Sequence, residues 1–266
     1  MKSAVAKLNE LKVILSSYGG AVIAFSGGVD STFLASIAHD VLKEKVLAVT
    51  ASSETYPEEE IDAAVSLAQQ IGLPHLLIHT EELADGKFTA NPPERCYFCK
   101  KELFARFRKI AEAYGLPQVL DGTNHDDRLD YRPGMQAAKE LGIKSPLLEA
   151  ELTKEDIRGL SREMGIPTWN KPSLPCLASR FPYGEEITRE KLAMVKNAEA
   201  YLRSLGLETL RVRHHGNLAR IEVDPKTFPI IMEAAGEVSQ KLRQIGYSYV
   251  TLDLQGFRSG SLNETL

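Results

Sequence analysis

No run of apolar side chains in the 266 residues approaches the roughly eighteen that a membrane-spanning helix needs, so no segment is expected to cross a bilayer. Cysteine is scarce as well. Three thiols, an odd number, do not make a disulfide framework, and they need another explanation. Neither sign of charge dominates: a formal net charge of −4 argues against a large nucleic-acid surface and favours a small-molecule partner. Internal repeats and low-complexity tracts are absent too. What is there, 43% hydrophobic and 26% charged residues, is the composition of a globular protein long enough for one large domain, or for a large and a small one. The opening MKSAVAKLNELKVILSSY spaces Val5, Leu8, Leu11, Ile14 and Leu15 helically among scattered lysines. It reads as an amphipathic helix and not as a signal peptide, and the expected compartment is the cytoplasm.

The most informative stretch, AVIAFSGGVDS over residues 21–31, is also marked by something missing. The nucleotide loop GxxxxGK[ST] aims a lysine at the terminal phosphates; this loop has none, which excludes that type of kinase or GTPase. Residues 21–25 read as a buried strand, Ser26-Gly27-Gly28-Val29-Asp30-Ser31 as a tight turn, and Thr32, Phe33, Leu34, Ile37 and Leu42 as a helix. Two glycines let the backbone approach an anion, the helix start offers free N–H groups and a positive dipole end, and the Ser26 and Ser31 hydroxyls add donors. The expected guest is a phosphate. SGGVDS after a strand resembles the pyrophosphate loop of the PP-loop ATP pyrophosphatases, the superfamily of NAD and GMP synthetases, asparagine synthetase and tRNA thiolases. The resemblance implies that Ser26, Gly27, Gly28, Val29, Asp30 and Ser31 hold the β and γ phosphates of ATP as leaving pyrophosphate. The α-phosphate then passes to a substrate oxygen as an adenylate.

Further along, a strand is expected over 45–50, a helix over 57–71, a strand over 74–78, an irregular stretch over 83–93, a long helix over 94–114 and a strand over 117–120. This rhythm predicts an α/β fold with a doubly wound parallel sheet, whose ligands sit at the carboxyl ends of the strands. Ser52, just after the second strand, is placed by position in the adenosine pocket. Asp121-Gly122-Thr123-Asn124-His125-Asp126-Asp127 follows the fourth strand. It resembles the GTNxxD-like segment that meets the nucleotide and its magnesium in PP-loop enzymes, which assigns Gly122, Thr123 and Asn124 to ATP and Asp126 or Asp127 to Mg²⁺. A solvated Asn/Asp turn is the plainer reading. Residues 145–148 are expected to return to the sheet, and 153–165 to form a helix with a capping-box start. The proline-rich loop over 171–184 then breaks all periodicity, so the domains are drawn as 1–186 and 187–266, the second a small α+β unit for substrate binding or oligomerisation. In it are expected a helix over 188–205, strands over 210–213 and 219–223, a helix over 227–245 and a strand over 249–252.

Cys96 and Cys99 are spaced CxxC, and Cys176 stands alone in the proline-rich loop. Cys96 neighbours Arg95 at a helix start, an electropositive setting of the kind that reactive cysteines occupy. The spacing admits a zinc half-site, a redox pair, buried structural thiols or three ligands of a [4Fe–4S] cluster with one iron open to a labile sulfide. The cluster accounts for all three thiols, and several PP-loop tRNA thiolases resemble the same pattern.

YRPG at 131, a cysteine followed by SRFPYG over 176–184, RVR at 211–213, ARIEV at 219–223 and TLDLQGFRSGSLN at 251–263 together resemble the LarE family of ATP-dependent sulfur transferases, over essentially the whole chain. The resemblance implies that Mg-ATP adenylates a carboxylate of a pyridinium biscarboxylate mononucleotide and that sulfur displaces AMP to leave a thiocarboxylate. In the best-known form of the family the cysteine aligned with Cys176 gives up its own sulfur and becomes dehydroalanine. Cys96 and Cys99 depart from that form and favour sulfide carried on a cluster. The substrate's phosphate and carboxylates call for arginines: Arg211 and Arg213 alternate on one strand, with Glu222 on the next as counter-charge or metal ligand. Tyr97, Arg132, Ser179 and Arg180 complete the implied substrate site, and Mg²⁺ is assigned to Asp30 with Asp126 or Asp127, with Lys100 or Lys101 near the phosphates. The resemblance further implies a homo-oligomer, a hexamer among the candidates, with the sulfur donor open. An amide-forming ligase of the NAD synthetase kind, which leaves the cysteines without a role, and a non-catalytic adenine-nucleotide sensor, which would release no pyrophosphate, are the alternatives.

Overall fold

The computed structural model describes residues 2–129, 133–172, 175–258 and 260–265. In chain order the first elements are α1 (Ala4–Tyr18), β1 (Ala21–Ala24), α2 (Val29–Leu42), β2 (Val46–Ser52), α3 (Glu58–Gln70), β3 (His75–His79) and the single turn α4 (Gly86–Thr89). They are followed by α5 (Arg95–Ala113), β4 (Gln118–Leu120), α6 (Pro133–Glu140), α7 (Pro146–Glu149) and α8 (Lys154–Glu163). The last are α9 (Arg189–Ser204), β5 (Leu210–His215), β6 (Leu218–Val223), α10 (Phe228–Glu233), α11 (Ala235–Ile245) and β7 (Tyr249–Leu252). No helix among the described residues is long and apolar enough to cross a membrane.

Contacts divide the chain into two compact units, Met1–Thr80 with Glu94–Leu174, and Glu81–Pro93 with Pro175–Leu266. The first is the expected α/β layer. Its four strands are all parallel, in the order β3-β2-β1-β4. Strand alternation divides the core in two: Ala21, Ile23, Val46 and Ala48 pack with α1, α2 and α8, whereas Val22, Leu47 and Val49 pack with Phe104 and Phe107 of α5. Successive strands run outward from β1 to β3 on one side, and β4 lies on the other. The order therefore reverses at β1, and the loops leaving β1 and β4 both line a cavity there.

The second unit packs α9 and α11 on a three-stranded sheet ordered β5-β6-β7, with β5 and β6 an antiparallel hairpin and β7 parallel to β6. Its boundary differs from the one expected at residue 186. Gly184 donates its N–H to the Asn91 carbonyl and Ile187 to that of Thr89, both at 2.9 Å, so the proline-rich loop from residue 175 onward and residues 81–93 belong to the second unit. Two element expectations are also corrected. Residues 145–148 form no strand: Pro146 starts α7, and only an isolated bridge, Leu120 with Lys144, touches the sheet. The helix expected over 227–245 breaks at Ala234, two residues before Gly236, a poor helix former in the first turn of α11.

Candidate active site

β1 ends at Ala24 and the chain turns at once into α2. Gly27 makes that turn at φ +65°, and a Cβ there would lie 2.9 Å from that of Ala64. Gly28 is the N-cap of α2 and contributes no side chain, so the first N–H groups of the helix are left to an incoming acceptor. The two serines shape the loop around that opening. Ser31 Oγ receives the Ser26 N–H at 3.2 Å and lies 3.0 Å from Ser26 Oγ, which in turn receives the Gly28 N–H at 3.4 Å. The opening faces a cavity of about 280 Å³ lined by Ser26, Gly28, Asp30, Ser31 and Thr50 and by Asp121 to Thr123 of the β4 loop.

Glycine at 122 is a packing requirement: a Cβ would lie 3.2 Å from the Ser31 backbone nitrogen. Asp121 ties its own loop, receiving Thr123 Oγ1 at 2.8 Å and Ser145 Oγ at 2.7 Å. Asn124 is buried with Nδ2 3.4 Å from Asp30 Oδ1, and its backbone N–H donates to Asp127 Oδ2 at 2.9 Å. Magnesium asks for one or two carboxylates beside phosphate oxygens. Asp30 and Asp127 both line the cavity and fit that demand, whereas exposed Asp126 receives the Lys154 N–H at 2.8 Å and lines no part of it. Lys100 lines the cavity; Lys101 instead joins Glu140 at 3.2 Å and Tyr97 Oη at 2.7 Å. Ser52 does not line it. Its carbonyl receives the Thr80 N–H at 2.9 Å, and Thr50 and Ala51 take the position expected of it. Tyr97 donates to Glu140 at 2.7 Å, on α6. Lys154 and Lys171 line an adjoining cavity of about 190 Å³ that shares Ser26, Gly28, Asp30, Tyr56 and Glu60 with the first; the sequence offered no signal for Lys154, Lys171, Tyr56 or Glu60.

Cys96 is exposed and Cys99 partly so, one turn apart at the start of α5 in the first unit, while Cys176, also partly exposed, belongs to the second. None is in a disulfide. Cysteine thiolates are the ligands that iron–sulfur clusters take. No three His, Cys, Asp or Glu side chains gather into a metal-binding group among the described residues.

Cys176 opens a short 3₁₀ turn, Leu177–Arg180. Arg180 is 2% exposed and Nη1 donates to the carbonyls of Pro175 and Cys176 at 2.8 and 3.1 Å, so it holds the cysteine loop from within. Its other nitrogens grip the fully buried Glu199 at 2.8 and 3.1 Å. Burial works against the Glu199 charge, yet Arg180 and Arg203 overcome it and hold the carboxyl below its usual range. Arg213 donates to the Ser179 carbonyl at 2.6 Å and pairs with buried Glu222 at 2.9 Å, which also takes Arg220 at 3.0 Å; Glu222 is a counter-charge. Arg180, Arg213, Arg220 and Arg258 line a cavity of about 120 Å³. The buried Nε atoms of Arg213 and Arg220 have no hydrogen-bond partner among the described residues. Arg211 lies outside that lining, with its guanidinium 4.6 Å over the Phe257 ring and its pKa lowered to about 10, first by burial and then by Arg213 and Arg180. Arg132 and Tyr131 lie outside the described residues.

Comparison with known proteins adds one family match and three relatives. The family model for NAD synthase matches residues 3–126. An uncharacterized protein of Synechocystis sp. is 49% identical over 98% of this chain and 98% of its own length. The pyridinium-3,5-bisthiocarboxylic acid mononucleotide synthase of Lactiplantibacillus plantarum is 41% identical over 100% of this chain and 97% of its own. A glutamine-hydrolyzing GMP synthase of Aeropyrum pernix is 29% identical over 69% of this chain and 39% of its own.

Proposed function

The chain belongs to the family of pyridinium-3,5-bisthiocarboxylic acid mononucleotide synthases, the LarE-type enzymes with a PP-loop, and from that premise we propose the reaction it performs. It adenylates a carboxylate of pyridinium-3,5-biscarboxylate mononucleotide with Mg-ATP and replaces the AMP by sulfur. The observation that carries the reading is the uncapped start of α2, open to a cavity at the sheet's topological switch point and faced by carboxylates.

In the first step a carboxylate oxygen of the substrate attacks the α-phosphorus. The bond from that phosphorus to its bridging oxygen breaks, and pyrophosphate leaves with the electron pair. The free N–H groups of α2 and the serine hydroxyls receive the developing negative charge. Magnesium, held by Asp30 and Asp127, would neutralise phosphate charge. The arginine cavity of the second unit suits the substrate's own anionic groups, because guanidinium groups bind phosphate and carboxylate bidentately. In the second step a sulfur nucleophile adds to the acyl carbon of the adenylate and the carbon–oxygen bond to AMP breaks, leaving a thiocarboxylate.

The sulfur is handled by Cys96, Cys99 and Cys176. A cluster held by these three thiolates would supply sulfide and leave the cysteines intact; donation from Cys176 itself would leave dehydroalanine. Anaerobic iron and sulfide analysis of wild type against Cys96→Ala, Cys99→Ala and Cys176→Ala separates the two. Loss of iron in each variant, with Cys176 unchanged in mass after turnover, supports the cluster. Iron-free wild type that loses sulfur from Cys176 supports sacrificial donation. An amide-forming ligase would need ammonia and release no thiocarboxylate. Assembly as a homo-oligomer is part of the proposal, and light scattering checks it.

A further inference from the structure

The loop after β1 lacks a lysine, but the folded chain brings two to it from more than a hundred residues away. Lys154 Nζ pairs with Asp30 Oδ2, and Lys171 Nζ lies 3.3 Å from the Gly27 carbonyl and 2.8 Å from Glu60 Oε2. Both line the 190 Å³ cavity that continues the nucleotide cavity past Ser26, Gly28 and Asp30. We propose that Lys154 and Lys171 hold the β and γ phosphates of ATP and then the leaving pyrophosphate, supplying from distant segments the positive charge that the loop itself lacks. The inference deepens the ATP step proposed above and rests on that reading.

Charge and placement carry it. The charged lining residues of this cavity are Asp30, Glu60, Lys154 and Lys171, two of each sign. Without the lysines the loop would present two carboxylates to a polyanion, and the helix N-terminus alone would not offset that repulsion. The lysines are partly buried, with side-chain exposures of 34% and 23%, so their charges are less screened than on an open surface. Each is also fixed by its backbone. Lys154 follows the Thr153 N-cap, whose Oγ1 receives the Asp156 N–H at 3.1 Å, and donates its own N–H to Asp126 at 2.8 Å. The Lys171 carbonyl receives Arg158 Nη2 at 2.9 Å. With Mg-ATP bound, Asp30 would be available to hold the metal, and the ammonium groups of Lys154 and Lys171 would pair with phosphate oxygens. No covalent step is assigned to either.

Titration calorimetry with inorganic pyrophosphate and with Mg-ATP, without any acceptor, tests this. Lys154→Met and Lys171→Met are each expected to weaken pyrophosphate binding about tenfold or more, the loss of one charge-assisted contact, while the Lys→Arg variants keep most of it. On wild type, pyrophosphate should also protect both lysines from acetylation, read by peptide mass spectrometry, so the test does not depend on a variant folding. Methionine variants that bind as wild type does, or acetylation at 154 and 171 unchanged by bound pyrophosphate, would overturn the inference. Sulfur transfer is read on acceptor and product and can fail independently.

Discussion

A methyl group on residue 27 meets two obstacles at once, the left-handed φ of +65° and the Cβ of Ala64 at 2.9 Å. Gly27→Ala is expected to cost about 1–3 kcal/mol in urea unfolding and to abolish pyrophosphate release. A fully active Gly27→Ala enzyme would remove the loop from the mechanism. Arg180 and Glu199 lie at the other extreme, charged yet 2% and 0% exposed. Removing either leaves an uncompensated buried charge, so Glu199→Ala should destabilise by about 3–5 kcal/mol. Arg180→Lys should affect the cysteine loop more than stability, since a single ammonium cannot grip Glu199 and the Pro175 and Cys176 carbonyls together. The expected result is loss of sulfur transfer with ATP binding retained.

Elements made by local chemistry were legible in the sequence. The strand, turn and helix around SGGVDS follow from β-branched residues, two glycines and an apolar spacing; α8 follows from its Thr153–Asp156 capping box. Residues 145–148 were not legible, because a short apolar run with a proline serves a strand edge or a helix start equally well, and only Pro146 at the first helical position decides. The phosphate-side lysines were invisible for another reason. Lys154 and Lys171 acquire meaning only when α8 and the loop behind it fold back on α2, and no local pattern encodes that contact. The burial of Arg180 against Glu199 was not legible either, since it depends on α9 packing beneath the cysteine loop. At the same scale β5 carries a pH dependence. Burial, before any charge, lowers the pKa values of His214 and His215; for His215 the neighbouring Arg220 adds to it. Both therefore contribute stability in full above the unfolded value of about 6.5, and it is lost as pH falls below that value, because the unfolded chain takes up protons that the folded one refuses. The melting temperature should drop between pH 7.5 and 5.5, and less so in His214→Asn. An identical slope in the variant would place the effect elsewhere.

At the scale of the molecule the two units divide the chemistry. The first holds the loop proposed for ATP, the acidic residues proposed for magnesium and the CxxC pair; the second holds Cys176 and the arginine cavity. Activation alone is common to ligases and thiolases, so the product decides between them. The decisive measurement is anaerobic turnover with Mg-ATP and pyridinium-3,5-biscarboxylate mononucleotide, with all products read by mass spectrometry. AMP and pyrophosphate should form only when the acceptor is present, and the acceptor should gain the mass difference between sulfur and oxygen. ADP with orthophosphate, or pyrophosphate release with no sulfur in the acceptor, would contradict the proposed function.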